Sequence, residues 1–301
     1  MTERTTIGID VAAARPCICV LLDGLVVQDW LDTRDLDELA SWVLRHQPDA
    51  IGVDAPCAPS KGLLLEPGTS GKPYGGRVCD RELRRRCIPL YEVPRERADA
   101  DPWMEVGFQI YQILQELGYQ LPREPGIAHS VIEVFPHASF VTLLGGIPAK
   151  KSTTLGQAHR LEVLKRHGVS WDGRFDHDSL DALAAALTAT MFLEGQASAV
   201  GDPEEALLWL PVRRVEEAYS RIPASSTHLE RADLEHLHRK LSPEEREELL
   251  QRLLIAAPRG EEAMIRVLED ELLCHATEEL LDECADGEGG ASGDRPRPHL
   301  L

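Results

Sequence analysis

The chain has 301 residues, 43% of them hydrophobic, and its acidic side chains outnumber the basic ones by 51 to 32, for a formal charge of −19. That much apolar surface supports a real core and excludes global disorder, and the length fits one large domain or one domain with an appendage. No run of about 18 apolar residues exists, which excludes a membrane-spanning helix, and aromatics at 5% leave little room for a platform that stacks single-stranded nucleic acid.

The amino terminus, Met1-Thr2-Glu3-Arg4, lacks the charged-then-apolar layout of a signal peptide. Thr5–Asp10 (TTIGID) reads as a buried strand, and Pro16–Asp23 and Leu25–Trp30 as two more, joined by an Asp23-Gly24 hairpin signal. Asp35–His46 spaces Leu36, Leu39, Ala40, Val43 and Leu44 as a helix does. Ala50–Asp54 (AIGVD), ended by Ala55-Pro56, is a fourth strand. A hairpin followed by a helical crossover implies a mixed sheet with the first and fourth strands side by side in its middle. Residues 55–76 are rich in Gly, Pro and Ser. Beyond them, residues 77–97 carry seven arginines against four acids, the one local positive patch. Pro102–Tyr119 is helical by spacing, Ser130–Phe135 is a fifth strand stopped by Pro136, and Leu155–His167 and Ser179–Leu193 are further helices. Leu207–Leu210 has the makings of a last short strand.

The composition shifts around Pro223–Thr227. This divides a domain at 1–223 from a helical extension at 224–284, with amphipathic segments Ser242–Ala256 and Glu261–Cys284, and a tail at 285–301 expected to be disordered. Residues 226–301 alone hold 19 acids against 9 bases. So acidic a chain repels polyanions at long range unless it presents a local cationic patch. The seven cysteines form no Cys-x-x-Cys, and no His pair stands at zinc-finger spacing. Reduced thiols in the cytoplasm are the simplest expectation.

Four acids stand out by position: Asp10 and Asp54 end strands, Glu133 sits inside one, and Asp181 opens a helix together with Asp178. In open α/β sheets, ligands bind beyond the carboxyl ends of parallel strands. Adjacent parallel strands would therefore bring Asp10, Asp54 and Glu133 to one edge, and a helix start above it would add Asp178 and Asp181, which share a helical face. Crowded carboxylates raise one another's pKa, and a hard divalent cation relieves the repulsion. Oxygen-only ligands suit Mg²⁺ or Mn²⁺, and two such ions would activate a water and stabilise the leaving oxygen of a phosphodiester. The bland readings are turn residues for Asp10 and Asp54, and an N-cap for Asp178 with Asp181 favoured by the helix dipole. An ionised Glu133 among Val131, Ile132, Val134 and Phe135 is costly unless partnered.

Five motifs occur in order: Ile7-Gly8-Ile9-Asp10; Ile51-Gly52-Val53-Asp54-Ala55-Pro56; the segment from Arg77 through Cys79-Asp80-Arg81-Glu82-Leu83-Arg84; Val131-Ile132-Glu133-Val134-Phe135-Pro136; and the helix start from Asp178 to Asp181. Together, over residues 5–212, the chain resembles the DUF429 family, whose members are predicted to be nucleases of the ribonuclease H-like fold. The resemblance implies a five-stranded mixed sheet flanked by helices, outside which the α-helical C-terminal extension falls. It further implies a nucleic acid substrate and Mg²⁺ or Mn²⁺ as cofactor. Asp10 would be the strand-one ligand, Asp54 or Glu133 the second, and Asp181 with Asp178 the helix-borne last, with Asp10, Asp54, Glu133 and Asp181 catalytic. Arg81, Arg84, Lys150, Lys151 and Arg160, with Arg77 of the same arginine patch, would contact substrate.

Two other readings compete. Actin-like ATPases and sugar kinases also open on an Ile-Gly-Ile-Asp strand, but here Val11-Ala12-Ala13 replaces the glycine-rich turn that phosphate transfer needs. A non-enzymatic interaction protein with relic carboxylates would instead use the leucine stripes of the extension, Leu249, Leu250, Leu253 and Leu254, then Leu268, Leu272 and Leu273, to hold a protein partner.

Overall fold

A computed structural model describes residues 4–63, 76–171, 177–222, 241–256 and 267–268. The chain divides into two compact units, residues 1–171 with 175–223, and residues 172–174 with 224–301. Among the described residues, no helix is long and apolar enough to cross a membrane.

The first unit is a mixed α/β fold. Its strands are β1 (Thr5–Asp10), β2 (Cys17–Asp23), β3 (Val26–Thr33), β4 (Ala50–Asp54), β5 (Ser130–Val134), β6 (Ser198–Asp202) and β7 (Ala206–Leu210). They form one sheet in the order β3-β2-β1-β4-β5-β7-β6, in which β1, β4, β5 and β7 run parallel and β2 and β6 oppose them. The sheet thus has seven strands where five were expected. The five expected strands are present in the inferred order, with β3 running on to Thr33, and the β6–β7 hairpin extends the sheet past β5. The added β6 is short, polar at both ends and carries Gly201, so its period-2 signal is weak.

The helices are α1 (Leu36–His46), α2 (Val78–Arg85), α3 (Pro102–Glu116), α4 (Pro136–Leu144), α5 (Thr154–Arg166) and α6 (His177–Leu193). Asp35 caps α1 by accepting from the Asp37 and Glu38 amides, and Leu39, Trp42 and Val43 supply the buried stripe. Helix α4 was not foreseen: Pro136, read as a strand stop, is also the first residue of a helix. Ala138 through Thr142 are all buried, so α4 shows no amphipathic period to find.

Side-chain alternation sorts the central strands onto two faces. Ile7 and Ile9 of β1 and Ile51 and Val53 of β4 join the cluster containing Leu39 and Trp42 of α1 and Ile110, Tyr111 and Leu114 of α3. The opposite face is covered by α6, whose alanine-rich body packs with Ala50, Ile132 and Val134, and with Val20, Leu22 and Phe140. At about 25 cal/mol per Å² of apolar area removed from water, such two-faced burial dominates the stabilisation of this unit.

In the second unit, α7 (Pro243–Ala256) matches the expected helix, and Leu241 and Leu249 are buried against Leu253, Val267 and Leu268. The expected helix at 261–284, apart from residues 267 and 268, and the tail at 285–301 lie outside the described residues.

Candidate metal centre

Strand register brings the first two acids together. In the parallel β1–β4 pair, Gly8 stands opposite Gly52 and Asp10 opposite Asp54. Residues 6, 8 and 10 point to the α6 face, as do 50, 52 and 54. The paired glycines let α6 lie directly on the strands. A Cβ on Gly8 would fall 1.9 Å from the Ala182 carbonyl oxygen, and one on Gly52 2.3 Å from that of Ala185. Thr6 fixes the same contact by pairing its hydroxyl with that of Thr190 at 2.8 Å. This close approach sets the first turns of α6 over the carboxyl ends of β1 and β4 and delivers Asp181.

One ligand oxygen from each of Asp10, Asp54 and Asp181 lies within 4.8 Å of the others. A small side-chain rotation would close that spread onto one ion, and two ions could bridge it. Asp10 and Asp181 are buried. Burial pushes Asp10 up to about 6, with Arg15 opposing the shift and Asp181 and Asp178 adding to it. Burial, then the charges of Asp10 and Asp181, raises Asp54 well above the carboxylate range. Asp181 is also raised by burial, with Lys151 opposing. Each carboxylate is thus held where its charge is poorly solvated and repelled by its neighbours, the state that a hard cation relieves.

Two side-chain cations partly answer that charge. Arg15 Nη2 lies 2.6 Å from Asp10 Oδ2 and 3.1 Å from Asp178 Oδ1. Lys151 Nζ lies 2.6 Å from Asp181 Oδ2 and 3.9 Å from Asp178 Oδ1. Among the described residues, the Asp54 carboxylate makes no hydrogen bond or ion pair, and the charge of Lys151 opposes its pKa rise without touching it. A cluster of three oxygen donors with one member unpartnered could hold a divalent metal ion.

The other expected residues are placed differently. Asp178 lies inside the first turn of α6 rather than at a cap, and beside the cluster rather than in it. Glu133, expected as a ligand, is not brought to the cluster. It stands opposite Val53 in the β4–β5 pair, so it shares the face of Val53 and points away from Asp54's side of the sheet. There Arg77 holds it with two bonds of 2.6 and 2.8 Å, and the Cys57 amide donates to it at 2.8 Å. Arg77 itself, expected to touch substrate, is 2% exposed and also ion-paired to Asp80 at 3.0 Å. It ties the start of α2 to β5. Arg160 is buried as well, donating to the Ala149 and Gly156 carbonyls over the ring of Phe140. Arg84 is bound to Glu92 and the Leu90 carbonyl. Arg81 is half-buried, Lys150 is exposed, and Lys151 alone of the six touches the acids.

Sequence reasoning missed two residues. Arg15 bridges Asp10 and Asp178, and its only signal was its place in the turn after β1. Glu205, which is buried, accepts from the Lys61 and Val78 amides and the Ser60 hydroxyl, so it pins both flanks of the segment after Asp54. A cleft of about 470 Å³ beside α3, lined by Cys57, Phe108, Tyr111 and Gln112, includes none of the three acids.

A family model described as "Protein of unknown function (DUF429)" matches residues 8–206, a span that includes Asp10, Asp54 and Asp181. Neither a curated protein nor a solved structure matches the chain. With two thirds of its length covered by that one model, the chain belongs to the DUF429 family.

Proposed function

We propose that this protein is a metal-dependent nuclease that hydrolyses phosphodiester bonds, with Mg²⁺ or Mn²⁺ held by Asp10, Asp54 and Asp181. The observation that carries this reading is the convergence of these three carboxylates at the carboxyl edge of a parallel strand pair. Hard oxygen donors favour these ions over zinc. When bound, such an ion supplies an acidified water and neutralises charge developing on the phosphate.

The chain's own residues do the rest. Asp10 and Asp54 are fixed by strand register and Asp181 by the helix seated on Gly8 and Gly52, so the ligands are set before metal or substrate arrives. Arg15 and Lys151 compete with a bound ion for the same oxygens. Freed from these carboxylates, the two partly exposed cations would be available to pair with the non-bridging oxygens of a phosphate.

Purified wild type, Asp10→Asn and Asp181→Asn protein should be compared in Mn²⁺ titration calorimetry and in cleavage of single-stranded, duplex and branched oligonucleotides. The expected result is stoichiometric metal heat and Mn²⁺-dependent cleavage in the wild type, with both variants folded and at least about 100-fold slower. Undiminished cleavage in both variants would falsify the proposal.

A further inference from the structure

Past the carboxyl end of β5, three aromatic rings gather from distant parts of the chain. Tyr91 lies 4.8 Å from Trp103 and 6.2 Å from Phe135 between ring centroids, and Phe135 lies 5.8 Å from His137. Phe135 is the first residue past β5 and so leaves the sheet at the edge where Asp54 ends β4. Tyr91 is 57% exposed although two other aromatic rings lie within 6.2 Å of it.

Its exposure does not come from a loose segment. Arg84 grips both flanking residues, the Leu90 carbonyl at 3.0 Å and the Glu92 carboxylate at 2.5 Å. Val93 is buried with Met104 and Phe108. The Pro94 carbonyl accepts from the Ser60 amide at 2.9 Å. The ring is therefore presented to solvent by a fixed frame, with Trp103 and Phe135 behind it. Burial, and after it the charge of Asp54, raises the pKa of the Tyr91 phenol, with Lys151 opposing.

We infer that Tyr91, backed by Trp103 and Phe135, is a stacking subsite for an unpaired nucleobase beside the phosphodiester held at the carboxylates. The inference rests on the nuclease reading above and narrows its substrate to nucleic acid with unstacked bases at the site of cleavage. A rigid, sequence-tolerant π-face supports such binding where net charge does not. It also gives Arg84 a positioning role in place of the phosphate contact expected of it.

The test is equilibrium binding, by fluorescence anisotropy in Ca²⁺, of a short labelled single-stranded oligonucleotide, an abasic oligonucleotide of the same length, and a blunt duplex. Loss of one base–aromatic contact predicts that Tyr91→Ala weakens single-strand binding about 5- to 150-fold, whereas Tyr91→Phe leaves it unchanged. The abasic strand should bind wild type and Tyr91→Ala alike, and the duplex should bind wild type more weakly than the single strand. Equal binding of the base-containing strand by wild type and Tyr91→Ala overturns the inference, as does an equal loss on the abasic strand or no binding by the wild type. Mn²⁺ calorimetry on the same preparations separates the two levels. Intact metal heat with an indifferent Tyr91→Ala removes only the stacking subsite, whereas wild type without metal heat removes the metal-dependent reading beneath it.

Discussion

Glu133 and Arg77 lie in the same buried layer, each about 2% exposed, and meet through two short bonds. An ionised carboxylate there would be intolerable alone, and its partner arrives from 56 residues upstream. The cost of an unpaired Glu133 was legible in its apolar neighbours. The identity of the partner was not, because a side chain in a strand can face either layer until its register is known. His137 shows the same dependence on surroundings. Burial, then the charges of Arg160 and Lys151, lowers its pKa to about 4, so the folded protein keeps it neutral. Between that value and the ordinary 6.5, the unfolded chain binds the extra proton, so stability is full above about pH 6.5 and falls as the pH drops toward 4. Urea unfolding of wild type and His137→Gln at stepped pH should show a difference that grows by about 2 kcal/mol over that window. Parallel curves for the two proteins would contradict the assignment.

At the scale of elements, the contact of α6 with β1 and β4 matters most. Five alanines and two facing glycines shorten the helix–sheet distance until backbone meets backbone, and only then does Asp181 reach the strand ends. Gly8→Ala would push a methyl into the Ala182 carbonyl, where no flexible side chain can yield. Overpacking against backbone predicts at least about 3 kcal/mol of destabilisation in denaturant titration, together with weakened Mn²⁺ affinity as the helix lifts. A stable variant with unaltered metal binding would show that the close approach is not what sets the site. The glycines and alanines were visible as motif residues, but their pairing across a helix and two strands was not. Helix α4 and strand β6 escaped for a related reason: one is apolar on every side and the other is short and polar, so neither carries the period by which such elements are read.

For the whole molecule, the formal charge of −19 sets the sign of long-range forces but not the place of the site. A cation that binds the folded acids and not the unfolded chain should stabilise the protein by about 2.7 kcal/mol at a hundred times its dissociation constant. For a folded unit of this size, that is a rise of roughly 5–10 °C in Tm by scanning calorimetry. Asp54→Asn should abolish the rise, since it removes the acid of the three whose carboxylate, among the described residues, makes no hydrogen bond or ion pair. An equal rise in the variant would place the ion elsewhere. The amino-acid sequence by itself determined most strands and most helices, the chain's acidity, the family motifs and a wider set of acids, Asp10, Asp54, Glu133, Asp178 and Asp181, worth examining, because period, capping and charge act locally. Only tertiary structure decided that Glu133 turns away from Asp54, that Arg77 and Arg160 are committed inside, and that Tyr91, Trp103 and Phe135 come together. Register and helix approach are set by the packing of the whole chain, and no local pattern carries them.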